Sequence, residues 1–403
     1  MGNGRPGPSH LPYPQDVQQN RSNFRKVAGP GELALLRHIR SRAGSLSQKG
    51  LSLGIGDDCA LLGLRPGEEV AVTTDLSIAG RHFRLDWHPA EAIGHRVLAR
   101  GLSDLAAMGA RPLAAFLSLG LPLELTKAGR KPAWVERFLD GLLALAESHK
   151  FPLAGGDLAE SPLAVADIVL VGAVPRGKAL LRSGARPGHL LYVTGALGGA
   201  AAGLAQLAEL ARQNREGQSL VKGTGLRKGT GFRKGTGFSP YISAMESSGA
   251  LAPEGTQPRL SQPPRIPKRL EALLAPHLYP QPRIAQGLWL QRRNLATAAI
   301  DLSDGLSTDL AHICEESGVE AEVEAASLPL RPGATLDQAL NGGEDYELLF
   351  TADPRTRIPR QIAGVSISKI GRIMKPRRGH PAVSLLTEDG PSALEPRGWE
   401  HFS

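Results

Sequence analysis

Carboxylates recur along this chain in short, glycine-flanked clusters: GIGDDCALL (54–62), TTDLSIAGRHF (73–83), LAGGDLAE (153–160) and AIDLSDGLSTDL (299–310). NGGEDYELLF (341–350) is a related fifth element. No His/Cys set with zinc spacing accompanies them. Hard carboxylate oxygens beside backbone that allows close approach suit Mg²⁺, and magnesium held this way is typically shared with a bound polyphosphate. The chemistry implied is phosphoryl transfer.

Each cluster offers a different geometry. Asp57 and Asp58 follow closely on two glycines. Adjacent carboxylates point apart on a strand but converge in a turn, where they can hold cations; a plain Gly-Asp turn reads the same way. Thr73, Thr74 and Asp75 put two hydroxyls and a carboxylate at a strand end, a usual ligand position in α/β folds. Ser103 and Asp104 interrupt an apolar helical stretch, where an Asp is costly unless paired or metal-bound. The glycine pair before Asp157 leaves bare backbone for a phosphate. Asp301, Ser303 and Asp304 close an apolar strand and open a helix. A helix N-terminus attracts phosphate, and carboxylates coexist with it there through cations. His82 reads equally as a substrate contact or a surface histidine, and Trp399 as a ring-stacking or a core residue.

The common phosphate loops are absent. Residues 172–179 (GAVPRGKA) nearly fit G-x-x-x-x-G-K-[ST], but Ala179 lacks the metal-binding hydroxyl and Pro175 removes one cradling N–H. GIGDDC has Cys59 where a dinucleotide fingerprint needs its third glycine, and paired HRD and DFG elements are missing.

The elements that must position these clusters follow from periodicity. Leu33, Leu36 and Ile39 open a helical pattern, and residues 69–75 alternate like a strand with an acidic tip. Residues 89–108 read as one long helix, 114–121 as a strand, 134–149 as a helix and 167–174 as a strand. The pattern restarts near Lys178, with strands at 190–194, 298–302, 348–351 and 365–370 and helices at 198–211, 307–317 and from Ile284. Two α/β halves of mixed strand and helix result, with a seam near 175–180. Residues 1–27 read as a disordered extension, and 212–264 as a flexible basic insertion carrying the repeat KGTGLR, KGTGFR, KGTGFS.

Bulk properties exclude several classes. The 403 residues suffice for two cored domains, and 41% apolar with 21% charged content is globular. Two cysteines, Cys59 and Cys314, form no disulfide framework, which places the chain in a reducing cytoplasm. No secretory signal and no membrane span is legible. The net charge of +8 concentrates in the insertion and the N-terminal extension, so a nucleic-acid partner is not expected.

Taken in order, GIGDDCALL, TTDLSIAGRHF, LSDLAAMGARP, GGD, LLRSGARPGHLLYVTGALG, PQPRIAQG, AIDLSDGLSTDLAHI and GGEDYELLFT resemble the thiamine-monophosphate kinase family. The similarity runs from about Gly31 to Phe402, excluding the insertion. The resemblance implies an aminoimidazole-ribotide synthetase-like architecture of two α/β (α+β) domains. Residues 28–177 would form the ATP/Mg-binding and dimerisation domain, whose strands build a shared barrel-like core in a homodimer. Residues 178–403 would form the C-terminal domain. It implies Asp58, Thr73, Thr74, Asp75, Asp104, Asp157, Asp301 and Asp304 as ligands of several Mg²⁺ ions. Gly156, Asp157, Arg182 and Ser303 would serve ATP, and His82, Glu344 and Trp399 would contact thiamine monophosphate. The expected reaction is ATP plus thiamine monophosphate giving ADP plus thiamine diphosphate, with Asp304 and Asp75 acting through metal and no general base. The alternatives are another ATP-dependent synthetase of the superfamily and a noncatalytic nucleotide- or thiamine-binding protein.

Overall fold

The structure is a computed structural model that describes residues 32–43, 50–55, 58–126, 134–221 and 263–398. The KGTG repeats, Asp57 and Trp399 lie outside the described residues. Helix α1 (Glu32–Ala43) precedes a small antiparallel pair, β1 (Leu51–Leu53) and β2 (Leu61–Leu62). Then follow β3 (Glu68–Ile78), α2 (Ala90–Ala107), β4 (Arg111–Leu121), the single turn α3 (Leu123–Thr126), α4 (Trp134–Ser148), β5 (Leu153–Glu160) and β6 (Val165–Pro175). The second half opens with β7 (Leu190–Thr194), α5 (Gly199–Val221), α6 (Lys268–Leu278) and α7 (Ile284–Arg292). It continues through β8 (Ala298–Asp301), α8 (Leu306–Ser317), β9 (Glu320–Glu324), α9 (Leu336–Asn341) and β10 (Leu348–Ala352). Strands β11 (Gln361–Ile362), β12 (Val365–Met374), β13 (Val383–Thr387) and β14 (Gly390–Ala393) complete it.

The first sheet runs β3-β6-β4-β5, antiparallel except at β4–β5. The second runs β14-β13-β9-β12-β7-β10-β8, parallel only at β13–β9, with β11 paired to β12. This is the mixed α/β class expected from the alternating patterns.

Helix α2 is the keystone. Fifteen of its eighteen residues are buried, because it packs against β3, β6, α4 and, from the second half, α7 and β8. A helix contacted on every side must be apolar all round. The polar residues it nonetheless buries (His95, Arg96 and Ser103) therefore need partners.

Strand β10 explains the continuous apolar run LLFTA. Leu348 and Phe350 join the core of the first half, while Leu349 on the opposite face joins the core of the second. A strand covered on both faces loses the alternation of a half-buried one. A third, smaller cluster (Trp87, Leu207, Leu274, Leu278) packs α5 and α6 onto the chain just before α2.

Some element bounds differ from the expectation. LAGGDLAE, to which periodicity assigns no element, is a strand, β5; the ladder to β4 overrides the low strand propensity of its glycines. Helix α5 continues to Val221, beyond the expected end at Ala211. Helix α6 follows directly on the insertion stretch, with Pro276 inside it obscuring the helical signal.

Candidate active site

Adjacent residues of α2 tie the two halves together. Ser103 donates its hydroxyl to Asp301 Oδ2 at 2.7 Å, at the end of β8. Its neighbour Asp104 accepts a hydrogen bond from Thr73 of β3. One turn earlier, Arg100 donates from Nε to Asp75 Oδ1 at 2.9 Å, and its Nη2 lies 2.6 Å from the same oxygen as an ion pair. Residues 96, 100, 103 and 104 recur at helical spacing, so α2 presents one polar stripe to the seam.

Carboxylates crowd there. Burial and the Asp104 charge push the Asp301 carboxyl up to about 7. Burial, and then the nearby Asp75, raise Asp104. Asp309 is raised well above the carboxylate range by burial, Asp301 and Asp304. Arg182, exposed on the loop before β7, lowers both Asp104 and Asp301. The turn at 301–305 is shaped by Asp309, whose Oδ2 accepts the backbone N–H groups of Asp304 (3.1 Å) and Gly305 (3.0 Å). Gly305, at φ 120°, occupies a backbone conformation that favours glycine at the entry to α8.

The GGEDYE segment divides its three acids. Glu344 Oε1 accepts from Arg96 Nη2 at 2.6 Å. Asp345 caps the start of α5 by accepting from Gly198 N (2.6 Å) and Ala200 N (3.0 Å). Glu347 accepts from Thr194 Oγ1 at 2.6 Å and from both Arg283 nitrogens, Nε (2.6 Å) and Nη2 (2.5 Å). Glu344 (φ 68°) and Tyr346 (φ 50°) are both left-handed, costing about 1–2 kcal/mol each. These anchors hold the segment there. Burial alone would raise Glu344, but Arg96 and His277 outweigh it and hold the acid well below its ordinary value.

Arg96 also donates to His277 Nδ1 (3.1 Å) and to the His277 carbonyl (2.5 Å). His277 Nδ1 also lies 3.4 Å from Glu344 Oε2, and its Nε2 lies 3.0 Å from His88 Nε2. His88 Nδ1 in turn lies 3.1 Å from both the Arg84 carbonyl and the Arg84 backbone nitrogen, whose N–H points to it. His82 Nδ1 accepts the Ile78 N–H at 3.1 Å, which leaves its proton on Nε2. His82, Arg96 and Arg100 line a cavity of about 10 Å³ together with Ser77, Phe83, Ile93 and Val97.

Of the residues singled out from sequence, Thr73, Asp75, Asp104, Asp301 and Arg182 therefore share one neighbourhood. Ser303 and Asp304 lie on the adjoining turn, and the Ser303 carbonyl accepts the Glu344 N–H at 2.8 Å. Thr74 does not share it: it is exposed, on the opposite face of β3 from Thr73 and Asp75. Gly156 and Asp157 are exposed on β5, at the far edge of the sheet from β3. Three strand spacings put them roughly 14 Å from Asp75. A Cβ at Gly156 would lie 1.9 Å from the Leu117 carbonyl oxygen, so only glycine fits that close strand contact. Asp58 is exposed in the turn between β1 and β2. The chain reaches Gly398 beside the acidic turn, its N–H on Thr308 Oγ1 at 2.9 Å, one residue before Trp399. Arg96, Arg100 and Asp309 were not singled out from sequence; the signal for the arginines was their four-residue spacing inside an apolar helix.

Among the described residues no group of three or more His, Cys, Asp or Glu side chains is close enough to hold a metal alone. The donor set nonetheless fits Mg²⁺, which takes one or two carboxylates and completes its shell with water and phosphate oxygens.

A mixed α/β fold whose two main sheets meet at an acidic seam beside arginines has the donor set of a protein that handles phosphates through cations. Residues 56–174 match the model for the AIR synthase related protein, N-terminal domain. The thiamine-monophosphate kinase of Escherichia coli (strain K12) is 36% identical over 385 residues, covering 93% of this chain and 98% of that protein. The crystal structure of thiamine-monophosphate kinase from Stenotrophomonas maltophilia K279a is 35% identical, covers 88% of this chain and 96% of that one, and has a TM-score of 0.62. AaThiL complexed with AMPPCP and TMP is 28% identical, covers 92% and 97%, and has a TM-score of 0.60. The chain belongs to the thiamine-monophosphate kinase family.

Proposed function

We infer that this enzyme transfers a phosphoryl group from ATP to thiamine monophosphate, giving ADP and thiamine diphosphate. The observation that carries the reading is the meeting of Asp75, Asp104 and Asp301 with Arg182 and Arg100 at the seam between the two sheets. The acceptor oxygen belongs to a phosphate that is already anionic near pH 7, so no side chain has to remove a proton. What opposes the reaction is repulsion between two phosphate groups, and catalysis is positioning plus charge neutralisation. Magnesium held by Asp75, Asp104, Asp301 and Asp304 would supply part of that neutralisation.

The remaining roles belong to the chain. Arg182 serves the ATP phosphates from the exposed side of the acidic pair. Ser303 and the turn pinned by Asp309 offer the N-terminal end of α8. His82 presents Nε2–H to the acceptor, Glu344 borders the acceptor site, and Trp399 stacks on its rings. Residues 28–177 form the ATP/Mg-binding half and 178–403 the C-terminal half, and the enzyme works in the cytoplasm.

The far position of Gly156 and Asp157 is accommodated by a homodimer. Val70, Val72 and Leu76 form an exposed apolar row on β3, on the same face as Thr74. A second copy covering that face brings its own β5 edge, with Gly156 and Asp157, and its Asp58 to the site. Mixing Asp157→Asn with Asp304→Asn protein tests this. Subunit exchange in a two-fold dimer restores about a quarter of the wild-type sites if each site draws on both copies. A mixture as inactive as its components contradicts the shared site.

A further inference from the structure

We propose that Arg100 binds the phosphate group of thiamine monophosphate and is the residue by which the enzyme tells the phosphorylated acceptor from free thiamine. This rests on the kinase reading given above and adds to it a specificity residue.

Three observations carry it. Arg100 is the guanidinium of α2 with capacity to spare. It donates from Nε to a single oxygen, Asp75 Oδ1, which Nη2 also approaches to 2.6 Å, and Asp75 is its one hydrogen-bond partner among the described residues. A guanidinium has five N–H donors, so three remain. Arg96, one turn away, is by contrast committed to Glu344, to His277 twice and to the His82 carbonyl.

The second observation is place. Arg100 lines the small cavity that also holds His82 and Arg96, with Glu344 and Tyr346 close enough to act on its charge. These are the acceptor-side groups. Arg182, the other arginine at the seam, acts on both Asp104 and Asp301, and Arg100 acts on Asp104 as well. Of the two, Arg100 is the one that lines the cavity beside His82 and Arg96.

The third is charge. Glu344 balances Arg96 at 2.6 Å, and Asp75 balances Arg100 at 2.6 Å. A cation accepted by Asp75 would offset that carboxylate and leave the Arg100 guanidinium with only Glu344, itself paired to Arg96, for compensation. A planar guanidinium in that position calls for a bidentate oxyanion, and a phosphate monoester fits it. Free thiamine carries no such group, and its cationic ring system gains nothing from an arginine.

The test measures binding rather than turnover. The affinities of thiamine monophosphate and thiamine are determined by calorimetry on the full chain with Mg²⁺ and AMPPCP, for wild type, Arg100→Gln and Arg100→Lys. Wild type is expected to prefer thiamine monophosphate. Arg100→Gln should lose roughly 10- to 100-fold in thiamine monophosphate affinity, the worth of a charge-assisted fork, with thiamine and AMPPCP affinities unchanged. Arg100→Lys, which keeps the charge but not the fork, should lose less. It also carries the test alone if the Gln variant does not fold. An unchanged preference in the variants, or an equal loss for both acceptors, overturns the assignment of Arg100 while leaving the kinase reading intact. A wild-type protein that binds neither acceptor overturns the kinase reading itself, and the proposal with it.

Discussion

Asp301 and Asp304 stand three residues apart and meet different demands. Asp301 is buried against Ser103 and Asp104, whereas Asp304 sits on the turn that Asp309 pins. Asp304→Asn preserves the size of the side chain and the backbone N–H that Asp309 accepts. It should therefore leave the melting curve in place while lowering kcat by ~100-fold or more at saturating Mg²⁺. Near-wild-type turnover in that variant would remove Asp304 from the machinery. The aspartates were legible because glycines and hydroxyls flank them. Arg100 was not, because one cation in an apolar helix announces burial without saying what it faces. Thr74 shows the converse: TTD reads as a single ligand cluster, yet alternation along β3 sends its middle member to the other face.

At the scale of elements, the hydrogen-bonded line from Arg96 through His277 and His88 to the Arg84 backbone joins α2, α6 and the chain entering α2. Burial and Arg96 push His277 down to about 4, and burial with the His277 charge pushes His88 well below its ordinary value. Folding thus favours the neutral rings. Their contribution is complete above the unfolded-state value near 6.5 and is lost as pH falls from there toward 4. Denaturant unfolding should show stability falling by up to about 1.4 kcal/mol per pH unit for each histidine between about pH 6.5 and 5. His277→Gln should flatten that slope. A wild-type stability independent of pH in this window would contradict the neutral pair. Strand β10 makes a second claim, since Phe350 is fully buried on the face that joins the core of the first half. Phe350→Ala should cost about 3–5 kcal/mol by equilibrium unfolding, and a loss under 1 kcal/mol would mean that the two halves do not share this core. Long periodic elements such as α2 and α4 were readable from spacing alone. Strand β5 was not, because its glycines serve a close approach between strands that only the assembled sheet reveals.

For the whole molecule, the order of motifs fixed the family, and the matching relatives extend over nearly the full chain. The mixed α/β class was legible because strand and helix patterns alternate along the chain. The separation of Asp157 from Asp75 was not, since strand order within a sheet depends on pairing that no local window contains. Deleting residues 222–262, which follow the end of α5 and carry the KGTG repeats, should leave kcat and KM for both substrates unchanged within a factor of about 2. A well-folded deletion variant with a large loss would tie the insertion to the site. The most direct test of the central claim is conversion of thiamine monophosphate with Mg·ATP, with free thiamine as control and product and ADP quantified together. Equal amounts of ADP and thiamine diphosphate, abolished by EDTA and absent with free thiamine, are the expected result. Tight Mg·ATP binding with no thiamine diphosphate formed would contradict it.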